Sequence, residues 1–208
     1  MAIDRQKIID DMAKVKVEAN EDGIISGFNV LVTKLPGVFW NSFARNMVQA
    51  ASEDILDAVE ELLVNAAHEC GYHTGHGIVS STEWDAVVKP MLGSTEDLLH
   101  AAFALCTAWG WADAEVVELD PGKRMVVRAK DYYESDVAKD FAGGKAPHYM
   151  AFMFRGVCAA FMDLAYGGDY DPSGETGLYS FRCRQTKGIE LGDSYGEFEV
   201  VSADEYEG

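Results

Sequence analysis

The sequence predicts an α+β fold, an antiparallel sheet of about four strands covered on one face by helices. Three observations lead there. Apolar residues recur at helical spacing through much of residues 4–110, as in Ile55, Leu56, Val59, Leu62, Leu63, Ala66 and Ala67. The period then changes: Ala114 to Leu119 and Arg124 to Ala129 are β-rich runs flanking Asp120-Pro121-Gly122-Lys123. One more apolar helix and a second strand pair follow. Adjacent strands with short connections suit antiparallel pairing and not a doubly wound parallel sheet.

The elements follow in order. Residues 4–18 are expected to be helical, with Ile8, Ile9, Met12 and Val15 on one side, as an arm (residues 1–20) that packs on a partner subunit. Residues 21–201 form the single domain. Ile24 to Thr33 is one or two strands, broken by Pro36-Gly37. Val38 to Ala50 is a helix, and Ser52, Glu53 and Asp54 are the cap and acidic first turn of a longer one. Ser80-Ser81-Thr82-Glu83 opens a short helix that stops near Pro90. Ser94 to Asp97 caps another, carrying Leu98, Leu99, Ala102, Phe103, Leu105, Cys106 and Trp109 until Gly110. After the central hairpin, Asp131, Glu134 and Asp136 read as an exposed acidic group, with Glu134 a base if its segment folds over a pocket. Pro147 to Tyr166 is a strongly apolar helix. Leu178 to Gln185 and Tyr195 to Val201 are the closing strands, and residues 202–208 are an acidic tail expected to be mobile.

Composition narrows the function. A 208-residue chain with 48% hydrophobic and 11% aromatic residues builds a sizeable core. The net charge of -18 opposes binding to nucleic acid and to anionic membranes. The apolar runs fall short of a membrane span, and the polar start is not a signal peptide. Cys70, Cys106, Cys158 and Cys183 are scattered, as expected of reduced thiols in a cytoplasmic protein, with Cys158 in the core.

The densest chemistry is His68-Glu69-Cys70-Gly71-Tyr72-His73-Thr74-Gly75-His76-Gly77. Interior glycines cost a helix about 1 kcal/mol each, so a helix ending here gains something else, the close approach of a second backbone or of a ligand. His68, Cys70, His73 and His76 carry donors suited to zinc or another late transition metal, without an HExxH signature or an acid placed by spacing. Cys158 and His148 are too far apart on one helix to form a nucleophile–base pair. Tyr72, Phe103, Trp109, Trp111, Tyr149, Phe152 and Phe154 gather near element ends, the composition of an apolar small-molecule pocket or of ordinary core.

The order of motifs resembles the vinyl-reductase-type domain, a relative of small TRAPP vesicle-tethering subunits and of the hydrocarbon-sensing modules of phenol-responsive activators. The likeness is carried by Glu69-Cys70-Gly71-Tyr72-His73-Thr74-Gly75, by Trp109-Gly110-Trp111-Ala112-Asp113-Ala114-Glu115-Val116 and by Arg128 to Ser135. It continues through the helix with Gly156, Phe181-Arg182-Cys183 and Gly192 to Val200, across residues 28–201. It implies a TRAPP-like helix-covered sheet, a homodimer, and an internal pocket for an apolar or aromatic molecule. Zinc-binding members place ligands in the last helix and last hairpin. Here Cys183 fills one such place, while Ala151, Ser180 and Gly196 stand at the others. One thiolate does not make a closed four-ligand site, so no metal ligands and no cofactor are expected.

The reading that follows is a cytoplasmic, homodimeric sensor or carrier that binds a small apolar or aromatic molecule. Tyr72, His76, Phe103, Trp109, Trp111, Tyr149, Phe152 and Cys183 are its expected ligand-binding residues. One alternative is an enzyme on the same scaffold, a small-heterocycle hydrolase or a vinyl-reductase accessory protein. His73, His76, His148 and Cys183 would be its acid–base or nucleophilic groups. The other is a protein-interaction subunit whose acidic surface meets a basic partner.

Overall fold

The computed structural model describes residues 3–206. The first two residues of the expected arm and the last two of the expected tail lie outside the described residues. Helix α1 (Arg5–Met12) is capped by Asp4, whose carboxylate accepts the Lys7 backbone N–H at 3.0 Å. It is shorter than the expected 4–18: Val15-Lys16-Val17 is non-helical and Ala19 bridges Ile25. Its apolar side packs on its own chain: Ile8 and Met12 are fully buried beside Ile78, Trp84, Ala101 and Leu105.

Strands β1 (Ile25–Gly27) and β2 (Val30–Val32) pair around Phe28 and Asn29, both with positive φ. Helices α2 (Gly37–Ala50), α3 (Leu56–Val79), α4 (Thr82–Val87) and α5 (Thr95–Ala108) follow. Ser52 turns its hydroxyl to the Asp54 carboxylate and caps nothing, so α3 starts three residues later than the sequence cue. Ser81 caps α4, and Ser94 with Asp97 closes a reciprocal capping box on α5. Gly110, at φ +70°, turns the chain out of α5.

The main sheet contains β3 (Ala112–Asp120), β4 (Arg124–Tyr132), β5 (Phe181–Lys187) and β6 (Gly196–Ser202) in the order β3-β4-β6-β5, all antiparallel. Gly122, at φ +72°, accepts the turn that follows Pro121. Alternation sorts the faces. Met125, Val127, Ala129, Phe198, Val200 and Cys183 point into the core. Glu118, Arg124, Glu199 and Arg184 form an ion-pair ladder on the other face, with Arg128–Glu197 beside it.

Between β4 and β5 run 3-10 turns (Tyr133–Asp140) and α6 (Phe152–Tyr166). Helices α5 and α6 cover the core face of the sheet, and α3 packs outside α6, giving three layers. The sequence cue put the start of α6 at Pro147. Residues 147–151 are instead non-helical, because buried carboxylates take up the backbone donors at this point. Among the described residues no helix is long and apolar enough to cross a membrane, and all four cysteines are free thiols.

Candidate functional site

Three helical stripes converge on an apolar cavity of about 230 Å³. Cys70, Thr74 and Ile78 repeat every four residues on α3. Leu98, Ala102, Leu105 and Trp109 continue the stripe on α5, and Met153, Val157, Phe161 and Leu164 do so on α6. The wall is carbon and sulfur almost throughout. Trp109 and Trp111 close one side and also line an outer groove of about 650 Å³ with Phe28, Leu35 and Trp40. Trp109 is 43% exposed and packs edge-on against Phe28 at 4.9 Å. Phe28 holds its place with φ at +55°, a conformation that bulky residues rarely adopt. Trp111 stacks on Tyr133 at 5.9 Å.

The glycines of the histidine-rich stretch lie inside α3, which runs on to Val79. Gly77 permits the close approach of the β1–β2 hairpin, where a Cβ would meet Val30, and Gly71 and Gly75 permit that of α6. A Cβ at Gly71 would come within 3.0 Å of Ala160 Cβ, and one at Gly75 within 2.5 Å of Leu164 Cδ1. From the other helix, a Cβ at Gly156 would sit 2.5 Å from the Val64 carbonyl oxygen. The two helices meet on bare backbone, and the cavity opens beside that contact.

Buried carboxylates hold the surrounding frame. Glu134, expected at the surface, is buried, and its two oxygens accept the Met153 and Phe154 backbone N–H groups at 2.8 Å each. It therefore takes up two of the unpaired donors at the start of α6. Burial pushes its carboxyl up to about 8, against the pull of those two donors. Asp163 accepts N–H groups from Tyr179 at 2.8 Å and Phe181 at 2.9 Å, and His68 Nε2 at 2.6 Å. Glu190 accepts the Met150 N–H at 3.1 Å, a Gln185 amide N–H at 2.8 Å and the Tyr132 hydroxyl. Glu134 and Asp163 each tie α6 to a neighbouring segment, and Glu190 ties β4 and β5 to the loop before α6.

The expected ligand-binding residues separate into several places. Trp109 and Trp111 line the cavity. Phe103 is fully buried in the core under the sheet against Phe154 and Phe161. Phe152 belongs to a third cluster with Met150 and Leu63. The Tyr149 hydroxyl donates to the Thr186 carbonyl at 2.8 Å. Tyr72, His73 and His76 clasp the loop after α6. His76 stacks on Tyr170 at 3.5 Å, His73 Nδ1 is 2.9 Å from the Tyr170 hydroxyl, and the Tyr72 hydroxyl oxygen accepts the Asp171 N–H at 3.2 Å. His148 is 2.9 Å from Glu60, and Cys183 lies under the sheet beside Cys158.

The wall residues the sequence reading left out, such as Leu98, Ala102 and Val157, sit at the i, i+4 spacing that marks any buried helix face. The signal for them was the coincidence of three such faces.

His68, Cys70, His73 and His76 do not converge: His68 turns to α6, Cys70 to the cavity mouth, and the other two to Tyr170. Among the described residues no three His, Cys, Asp or Glu side chains form a group that could hold a metal ion. The zinc positions implied by the resemblance do not fit zinc either. Ser180 donates to the Gly177 carbonyl at 2.8 Å, and a Cβ at Gly196 would come within 2.5 Å of Tyr132. Burial pushes the Cys106 thiol up to about 12 and that of Cys158 well above its ordinary value, so both remain protonated.

No protein-family model matches the chain, and no curated protein matches it. Solved structures do. The chain is similar to the phenol-responsive sensory domain of the transcription activator PoxR, in a crystal structure with phenol. The TM-score is 0.68 at 14% identity, over 100% of this chain and 94% of that one. It is also similar to trafficking protein particle complex subunit 3 from Naegleria fowleri, covalently bound to palmitic acid. There the TM-score is 0.53 at 13% identity, over 80% of this chain and 92% of that one. At such identities the likeness is one of fold, and the fold is TRAPP-like.

Proposed function

We propose that the chain is a cytoplasmic sensor or carrier domain that binds a small apolar or aromatic molecule in the cavity between α3, α5 and α6. The observation that carries this reading is an apolar cavity, lined by Trp84, Trp109 and Trp111, in the same fold as a phenol sensory domain. The order of the sequence motifs supports placing it with vinyl-reductase-type domains. The enzyme reading has less support. His73, His76, His148 and Cys183 lie outside the cavity wall, with Cys183 beneath the sheet and His148 on Glu60. No nucleic-acid or membrane partner is proposed, in keeping with the net charge of -18.

A second copy of the chain is the proposed protein partner. Val38, Phe39, Trp40 and Phe43 on α2 are exposed, with Leu35 just before the helix, and Leu35 and Trp40 line the outer groove that Trp109 and Trp111 share with the cavity. A cluster of exposed apolar side chains of this kind on a strongly acidic chain marks an interaction surface.

Thermal unfolding in the presence of small aromatic hydrocarbons tests the binding reading. Ligands that fit raise the melting temperature with concentration, as mass action requires. Cys183→Ala and His73→Ala leave that response in place. A response lost in either variant but unchanged by filling the cavity would favour the enzyme reading.

A further inference from the structure

We infer that the cavity selects an unhydroxylated hydrocarbon over its hydroxyl-bearing isostere. This rests on the binding reading above and deepens it by naming the ligand class. A buried hydroxyl without a partner loses its hydrogen bonds to water and recovers none, which weakens binding by about 10- to 100-fold. The question is therefore which polar group in the site is free to meet one.

The wall offers little. Its surface is carbon and sulfur almost throughout, so the Thr74 hydroxyl, 3.8 Å from Cys70 Sγ, and the indole N–H groups of Trp84, Trp109 and Trp111 present almost no polar surface to a guest, and Cys106 contributes a neutral, weakly donating thiol. The helical backbone bared at Gly71 and Gly75 is committed to the α3 ladder. The buried polar groups nearby are committed elsewhere. Glu134 is bonded to the start of α6, Asp163 to His68 and the backbone before β5, and Glu190 to Tyr132, Gln185 and Met150. His68 keeps an unpartnered Nδ1, but it lies between α3 and α6 with Tyr179 and is not part of the wall. A guest that brings a hydroxyl finds no partner waiting.

Size narrows the class further. An apolar cavity of ~150 Å³ takes up benzene. Scaling that to the volume here of about 230 Å³ gives a guest of about nine carbons, an alkylated arene or a small terpene-like hydrocarbon.

The test uses two isosteres that differ by a methyl in place of a hydroxyl, 4-ethyltoluene and 4-ethylphenol. They are titrated calorimetrically into the full wild-type chain, then into Ala102→Phe and the milder Thr74→Leu, each of which fills part of the cavity. The expected result is at least tenfold tighter binding of 4-ethyltoluene, lost or weakened in both variants. Should 4-ethylphenol bind equally or more tightly while the filled variants still lose it, the hydrocarbon preference is wrong and the binding reading stands. If neither compound binds, or if both bind the filled variants undiminished, the binding reading fails and the preference falls with it. The wild-type ratio alone decides the preference even where one variant does not fold.

Discussion

Glu134 shows how one side chain can set a frame. Its carboxylate reaches across to the first turn of α6 and satisfies two backbone donors that would otherwise be buried without partners. Replacing it with alanine leaves both donors unpaired, at about 1–3 kcal/mol each. Glu134→Ala is therefore expected to lose about 2–6 kcal/mol in urea unfolding, and Glu134→Gln less, because one amide oxygen still accepts. The same residue gives stability a pH dependence. Its folded carboxyl is raised from 4.5 to about 8, so the folded chain holds the proton more tightly than the unfolded chain does. That contribution is whole below about 4.5 and is lost as pH climbs through about 8. His148, raised mainly by its hydrogen bond to Glu60, acts with the same sign. Urea midpoints measured between pH 5 and pH 9 should fall with rising pH, and the slope should be shallower in the Glu134→Gln/His148→Gln variant. A flat or rising wild-type profile would count against this account.

At the scale of the element, the contact between α3 and α6 makes two glycine substitutions diverge. A methyl at Gly156 meets the Val64 carbonyl oxygen at 2.5 Å and the His68 nitrogen at 2.6 Å, and helical backbone cannot step aside without parting the helices. Gly156→Ala is expected to cost about 2–4 kcal/mol. A methyl at Gly75 meets only the Leu164 side chain that closely, and Leu164 borders the cavity into which it can swing. The relief of about 1 kcal/mol in helix propensity then offsets much of the strain, so Gly75→Ala stays within about 1 kcal/mol of wild type. It should bind a large guest less well, because the displaced leucine fills part of the space. Calorimetry and urea unfolding of the two variants separate these effects. The cap at Ser94 and the Pro121-Gly122 hairpin could be read in the sequence, because these signals are local. The cavity could not. Spacing marks a residue as buried, but whether Ala102 or Phe103 faces empty space depends on how three helices splay, which no single helix records. Glu134 was misread for a related reason: it stands in an acidic run, and its partners come from a helix that starts much later in the chain.

For the whole molecule, the governing conflict lies between an apolar face and an acidic net charge. Val38 is 66% exposed, and Phe39, Trp40 and Phe43 add three aromatic rings on the same helix. Burying such side chains against a second copy removes apolar area from water at about 25 cal/mol per Å². The copies that meet there each carry a net charge of -18, so their long-range repulsion opposes the encounter. Salt screens that repulsion, with a Debye length of about 10 Å at 0.1 M and about 3 Å at 1 M, and leaves the apolar gain intact. Self-association should therefore tighten as sodium chloride rises from about 0.05 to about 0.5 M, the reverse of a contact held by opposite charges. Phe39→Glu, which puts a charge into the face, should give a monomer under both conditions. Sedimentation equilibrium at the two salt concentrations reads both outcomes. A dimer that loosens with salt would place the contact on charged surface instead of α2. A wild-type chain that stays monomeric throughout would leave the α2 face to a different partner, and its bearing on Trp109 and the cavity behind it would have to be sought there.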